Sequence, residues 1–328
     1  MKVLVLRSTS PHVNLASEYR LFIKKDLYGN EDLFIIWKNK NTVVIGRNQN
    51  LNAEVNMIYA NEIHANISRR FSGGGAVYQD DGNICFTFIK RDAKKFFNFK
   101  DCLIDIVDFF KSQNLNATFS GRNDILINDK KVSGNAVYFN KDDYLIHGTI
   151  LFDVNIETML KILTVDKTKL TSKGIESVKS RVLNIKDVVA DTRNQFELKL
   201  INYFENKYNN KADYLDLSDE QYTKEFLDET FGNPSWIYGR DFDFNYENKI
   251  TLKSGILTVR LKTDKGIISD ISFYTDSLFA NNLNKLAELL KNTNYQINTV
   301  KNKLANYNLD SFCLDLDIDL LINLVFPS

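Results

Sequence analysis

The sequence predicts an α+β protein: a large domain of mixed, mainly antiparallel sheets flanked by helices, followed by a small α+β C-terminal unit. Three observations predict it. Between residues 117 and 152 four strand-like runs, "ATFS", "DILIN", "KVSGNAVYF" and "YLIHGTILF", follow one another with turn residues such as Asn-Asp and Lys-Asp between them, a pattern that favours antiparallel pairing over helical crossovers. Around them, strand-like and amphipathic helical stretches alternate. At 231–249, "FGNPSWIYGRDFDFNYENK", glycine and proline punctuate a change in composition, the mark of a boundary. A chain of 328 residues is long enough for two domains, and these are placed at 1–240 and 241–328.

The elements follow in order. "VLVL" opens the chain as a strand. In 14–27, Leu15, Tyr19, Phe22 and Ile23 recur at helical spacing, with Asn14 placed as the cap. "LFIIWKN" and "TVVIGRN" read as a hairpin across a Lys-Asn turn. A helix is expected over 53–63, then strands at 67–71, 76–78 and 84–89, with a glycine run between the first two. Leu103, Ile106, Val107 and Phe110 mark one face of a helix over 101–112. After the four-strand region, helices are expected at 156–163, 193–208 and 218–230. Beyond the boundary, "ILTVRLK", "TDKG" and "ISDISFY" form a hairpin, followed by helices near 279–291 and 296–306 and a closing apolar run at 313–326.

Bulk composition narrows the function. Lysine plus arginine balances aspartate plus glutamate, 42 against 42, so no global field draws in nucleic acid or an anionic membrane, and any anion site is local. The three cysteines, Cys85, Cys102 and Cys313, are too far apart in sequence for a zinc motif or a disulfide framework, which points to reduced thiols and a cytoplasmic protein. "MKVLVLRSTS" fails as a signal peptide, and no stretch approaches the roughly 20 apolar residues of a membrane span.

Two stretches carry chemistry. In "RRFSGGGAVYQDDGN", 69–83, three glycines allow close backbone approach, and successive N–H groups there can form an anion-binding nest. It is neither a P-loop nor a dinucleotide fingerprint. A lone triple glycine serves equally well as a tight connector, but Arg69 and Arg70 beside it favour a carboxylate or phosphate. In "SGRNDILINDKKVSGNAVY", 120–138, Asp124 at a strand start suits a magnesium ion shared with phosphates. A lysine fixed on the next strand can stabilise charge as carboxylate and phosphate react. Taken alone, this stretch is also an ordinary hairpin with an exposed Lys-Lys pair. "HGTILF" contributes His147, and a polar loop at 172–187 contributes Lys173.

Together and in this order the chain resembles the lipoate–protein ligase A family, within the biotin/lipoate ligase superfamily. The resemblance rests on "GRNQN" (46–50), "RRFSGGGAVYQDDGN" (69–83), "GRNDI" (121–125), "KKVSGNA" (130–136), "HGTIL" (147–151) and "KGIESVKSRVLNI" (173–185). It implies that lipoate and ATP form lipoyl-adenylate and pyrophosphate. A lysine amine of an acceptor, an E2 lipoyl domain or the glycine-cleavage H protein, then displaces AMP. ATP and Mg²⁺ are the implied co-substrate and activator, with no prosthetic group and a monomeric protein. By the same resemblance Lys131 is the essential lysine between lipoate carboxylate and α-phosphate, and Asp124 holds Mg²⁺. Arg70, Ser72, Gly73, Gly74, Gly75, Ala76 and Val77 bind the carboxylate end and the adenylate, joined by Tyr78. Asn83 and Asn123 hydrogen-bond near the nucleotide. Ser133, Gly134, Ala136 and Thr149 belong to the same substrate site. His147 and Gly148 line a lipoyl tunnel walled by Trp37 and Gly46, and Lys173 closes over the phosphates. Gln79 departs from the family's usual histidine, so it is assigned a hydrogen bond to ligand and no proton transfer. Alternatives are an acyl-cysteine lipoyl or octanoyl transferase, which would need a pocket thiolate, and a transferase that takes lipoyl-AMP without efficient adenylation.

Overall fold

The computed structural model describes residues 1–121, 123–163, 180–239 and 242–326, and Cα packing divides the chain into two compact units. The first comprises 1–45, 54–70 and 76–237; the second comprises 46–53, 71–75 and 238–328.

The first unit is built on an eight-stranded sheet. Its strands are β1 (Lys2–Leu6), β2 (Leu33–Trp37), β6 (Asn83–Lys90), β7 (Ala117–Ser120), β8 (Asp124–Ile127), β9 (Lys130–Asn140), β10 (Asp143–Leu151) and β11 (Asp213–Leu215). The order is β11-β1-β2-β6-β10-β9-β8-β7. Only the pairs of β1 are parallel, and every pair from β2 to β7 is antiparallel. The expected four-strand meander is the β7–β10 end of this sheet. A second sheet joins β3 (Thr42–Ile45), β4 (Asn66–Arg69) and β5 (Val77–Gln79) in the order β4-β3-β5. The expected hairpin of "LFIIWKN" and "TVVIGRN" therefore does not form. β2 pairs with β1 and β6, whereas β3 pairs with β4 and β5.

β6, "NICFTFIK", is buried along nearly its whole length because both faces are covered. On one face Phe86 packs on Phe34 and Phe88, and Phe88 meets the helix α6 (Arg193–Tyr208), whose Phe204 stacks on Phe34 at a centroid distance of 3.7 Å. The other face receives α1 (Pro11–Ile23). Ser10, not Asn14, is the N-cap residue of α1, and Pro11 opens the helix, where its missing N–H costs nothing. Asn14 is instead buried, its amide donating to the Ser8 and Lys38 carbonyls and to Asn39 Oδ1. In chain order α1 is followed by α2 (Leu51–Glu54), α3 (Met57–Glu62), α4 (Phe99–Ser112) and α5 (Ile156–Ile162), and α6 by α7 (Gln221–Phe226) and α8 (Pro234–Tyr238). α4 buries Leu103, Ile106, Val107 and Phe110, the face read from the periodicity.

The second unit is α+β as expected. An antiparallel sheet of β12 (Tyr246–Leu252), β13 (Gly255–Asp264) and β14 (Ile267–Thr275) packs against α9 (Leu283–Leu290), α10 (Ile297–Leu304) and α11 (Ile318–Val325) around Leu257, Val259, Leu286, Val300 and Leu321. Residues 46–53 and 71–75 are stitched into it. Thr275 N–H donates to the Asn48 carbonyl, Asn48 Nδ2 to the Ala280 carbonyl, and Gly74 N–H to the Ser277 carbonyl. No helix among the described residues is long and apolar enough to cross a membrane.

Candidate active site

Register alone gathers much of the candidate site. Trp37, Cys85, Thr149, Gly134 and Asp124 are opposite one another across β2, β6, β10, β9 and β8. Thr87, His147 and Ala136 form the row two residues away. Residues opposite or two apart share a face, so one face carries Trp37, Thr87, Asp124, Gly134, Ala136, His147 and Thr149. It is the face that α1 covers.

At the β8–β9 end, Lys131 Nζ lies 2.8 Å from Asp124 Oδ1, with both side chains partly exposed. A Cβ built on Gly134 would meet Lys131 Cε and Nζ at 2.9 Å, so the ammonium lies where any larger residue would put its side chain. The Lys131 backbone is fixed too: its N–H donates to the Arg181 carbonyl, and its own carbonyl accepts from Leu183 N–H.

Further along the face, Glu18 of α1 is buried and accepts from Thr87 Oγ1 and from His147 Nδ1, 3.0 Å away. Trp37 Nε1 donates to Thr87 Oγ1 at 2.9 Å. Because a carboxylate only accepts, the Glu18 contact puts the proton on Nδ1 of His147. Arg70 is buried and donates to the Val44 carbonyl. Burial pushes its guanidinium down to about 10; the Glu18 carboxylate opposes that shift and Arg69 adds to it. Arg69 is a structural pin, donating to the Trp236 and Ile237 carbonyls.

Glu18 was not among the sequence candidates. It occupies the apolar stripe of α1 between Leu15 and Phe22, and a charge inside such a stripe is the signal that singles it out.

Other candidates fall elsewhere. Ser133 and Gly148 belong to the opposite face of the sheet. Ser133 is fully buried beside the Asn135 amide, and a Cβ on Gly148 would fall on Asn135 Oδ1 and Phe86. Gln79 is buried, with its side-chain oxygen accepting from Asn39 Nδ2 at 2.7 Å. Tyr78 donates to Asn41, and burial pushes its phenol up to about 12. Ala76 and Val77 are partly buried, and Asn123 donates to the Asn135 carbonyl. Asn83 is fully buried; its oxygen accepts from Asp80 N–H, while its Nδ2 has no partner among the described residues. A buried amide donor left open suits a ligand acceptor. Lys173 lies outside the described residues.

The glycine run and its neighbours count with the second unit. Gly46 N–H donates to Gln49 Oε1, and the Ser72 carbonyl accepts from Arg47 N–H. A Cβ on Gly73 would overlap the Ser277 carbonyl oxygen, Gly74 has φ +89°, and Gly75 faces open space. So two of the three glycines answer to backbone packing and conformation. Gly73→Ala is expected to destabilise by about 1–3 kcal/mol through overpacking, and Gly75→Ala by under about 1 kcal/mol, read from denaturant midpoints. Equal losses at both positions would refute this account.

For a divalent cation the strands of this face offer the carboxylate of Asp124, Glu18 being engaged by Thr87 and His147, and no cluster of three metal-ligating side chains exists among the described residues. That donor set fits Mg²⁺, which takes one or two carboxylates and completes its shell with phosphate oxygens and water.

Comparison with known proteins covers most of the chain. Residues 10–205 match the family model of the lipoyl protein ligase A/B catalytic domain, and residues 241–325 match that of the bacterial lipoate protein ligase C-terminus. A lipoate-protein ligase of Bacillus subtilis is 32% identical over 322 residues, covering 96% of this chain and 97% of that protein. The crystal structure of a Plasmodium falciparum relative in complex with lipoate aligns at TM-score 0.79 and 28% identity, covering 94% of each chain. A lipoate-protein ligase A solved with ATP shares the fold at TM-score 0.61 and 21% identity, over 73% of this chain and 98% of that one.

Proposed function

The chain belongs to the lipoyl protein ligase A/B family, and on that premise we propose that it activates lipoate with ATP and transfers the lipoyl group to a lysine of an acceptor protein. The observation that carries the reading is the Lys131–Asp124 pair held over Gly134, on the sheet face that also carries His147, Thr87 and Trp37.

In the first step a lipoate carboxylate oxygen attacks the α-phosphorus of ATP and pyrophosphate leaves with its bonding electrons. Carboxylate and phosphate repel, and the Lys131 ammonium between them offsets that repulsion. Asp124 would hold Mg²⁺, which neutralises charge on the phosphates. Arg70 supplies a buried positive charge and the open Asn83 amide a hydrogen-bond donor. In the second step the acceptor lysine amine attacks the carbonyl carbon of lipoyl-AMP, loses a proton and expels AMP. Lipoyl domains of E2 subunits and the glycine-cleavage H protein are the acceptor class, and residues 1–240 carry both steps.

An acyl-cysteine route fits poorly. Cys85, Cys102 and Cys313 are all buried free thiols, and burial pushes each of them up, Cys313 to about 11. A nucleophilic thiol needs the opposite shift. The buried free cysteines also suit a reducing cytoplasm.

The deciding experiment incubates the full-length protein with ATP, Mg²⁺ and lipoate, with and without a lipoyl domain. Pyrophosphate release and a lipoyl mass gain on the acceptor are expected. Transfer from supplied lipoyl-AMP without pyrophosphate release would overturn the ligase reading in favour of a transferase.

A further inference from the structure

The site face has a support on the reverse of the sheet that none of its own residues reveals. Asn135 sits between Gly134 and Ala136 on β9, so its side chain points to the opposite face. It is buried there, and its Nδ2 donates to the Asn123 carbonyl at 2.8 Å. Asn123 returns the bond, its Nδ2 donating to the Asn135 carbonyl. The two asparagines thus form a reciprocal clamp between β9 and the turn that delivers Asp124, the next residue after Asn123. Asp124 in turn holds Lys131.

Gly148 makes the clamp possible. It is directly opposite Asn135 on β10, and a Cβ there would fall on Asn135 Oδ1. The other near atom is the Phe86 ring, which is fully buried, so the amide is the group that must move.

We propose that Asn135 is a positioning residue for the proposed adenylation step. Acting through Asn123, it holds the Asp124 carboxylate where it fixes the Lys131 ammonium, and Gly148 is the space reserved for its amide. The step it serves rests on the ligase reading, but the clamp itself is testable without substrate.

The test uses full-length, ligand-free protein and trace acylation with acetic anhydride. Modification at Lys131 is read by mass spectrometry against Lys130 in the same protein. An ammonium held by a carboxylate acylates more slowly than a free one. Asn135→Ala, Asn135→Asp and Gly148→Ala are each expected to raise the Lys131-to-Lys130 ratio roughly two- to fivefold, the range of a partly exposed ion pair, towards the value for Asp124→Asn. Asn135→Asp keeps the shape but loses the donated hydrogen bond, so it separates clamp from packing. In the adenylation assay the same variants are expected to lower kcat about tenfold with the KM for lipoate within about twofold.

Wild-type Lys131 reactivity in any one of these variants that folds, with Asp124→Asn raised, overturns the proposal. Altered reactivity in a protein that makes no lipoyl-AMP leaves the clamp standing and removes only the ligase reading.

Discussion

Lys131→Ala is expected to slow formation of the acyl-adenylate by about 10²–10³-fold, the loss that follows removal of one preorganised charge from a developing anionic centre. Folding should hardly notice. The side chains of Lys131 and Asp124 are 40% and 33% exposed, and a pair so solvated contributes at most about 1 kcal/mol. Lys131→Arg is not expected to restore the rate, because a planar guanidinium cannot occupy the compact volume over Gly134 that the ammonium fills. The checks are pyrophosphate exchange and a denaturant midpoint on each variant. A rate within about threefold of wild type for Lys131→Ala would remove this lysine from the chemistry.

Glu18→Ala is expected to act the other way round, on stability before rate. The change removes the acceptor shared by Thr87 and His147 and the carboxylate that opposes the burial shift of Arg70. Breaking a buried charged network by deleting one member costs about 3–5 kcal/mol, because the partners remain desolvated. Glu18→Gln keeps the volume and one acceptor oxygen, so about 1–3 kcal/mol is expected. Denaturant midpoints separate the two, and a Glu18→Gln protein as stable as wild type would show that Glu18 acts by filling space alone.

The elements legible from sequence were those marked by local apolar spacing or by a continuous apolar run. α4 and β6 to β10 are read from local spacing because each buries a face or both faces along its length. The misread pair, β2 and β3, failed for a physical reason. The short polar link at 38–41 suits a hairpin, but β3 finds its parallel partner in β4, where Thr42 is opposite Asn66. A partner so far along the chain leaves no mark on the link itself. β11 is three residues with little burial, and β12 is broken by Glu247 and Lys249, so neither shows a clean apolar run.

Within the candidate site, motif resemblance put Lys131, Asp124, Trp37 and His147 on the sheet, and the structure brings them to one face. Faces were harder to read. Strand alternation sends Ser133 and Asn135 one way and Gly134 and Ala136 the other, so adjacent letters of one motif serve opposite sides of the sheet. Glu18 was missed because its partners, Thr87 and His147, are 69 and 129 positions away.

The membership of the second unit has a consequence for synthesis. Asn48 and Gly74 leave the ribosome some two hundred residues before Thr275, Ser277 and Ala280, to which they are hydrogen-bonded. Domains ordinarily fold as units while the chain is still being made, but this unit cannot close until the residues from 238 onward have followed. A message truncated near residue 240 would yield a polypeptide in which Gly74 N–H lacks the Ser277 carbonyl. Both steps of the chemistry would then have to be judged on a chain in which Asn48 and Gly74 lack these later partners.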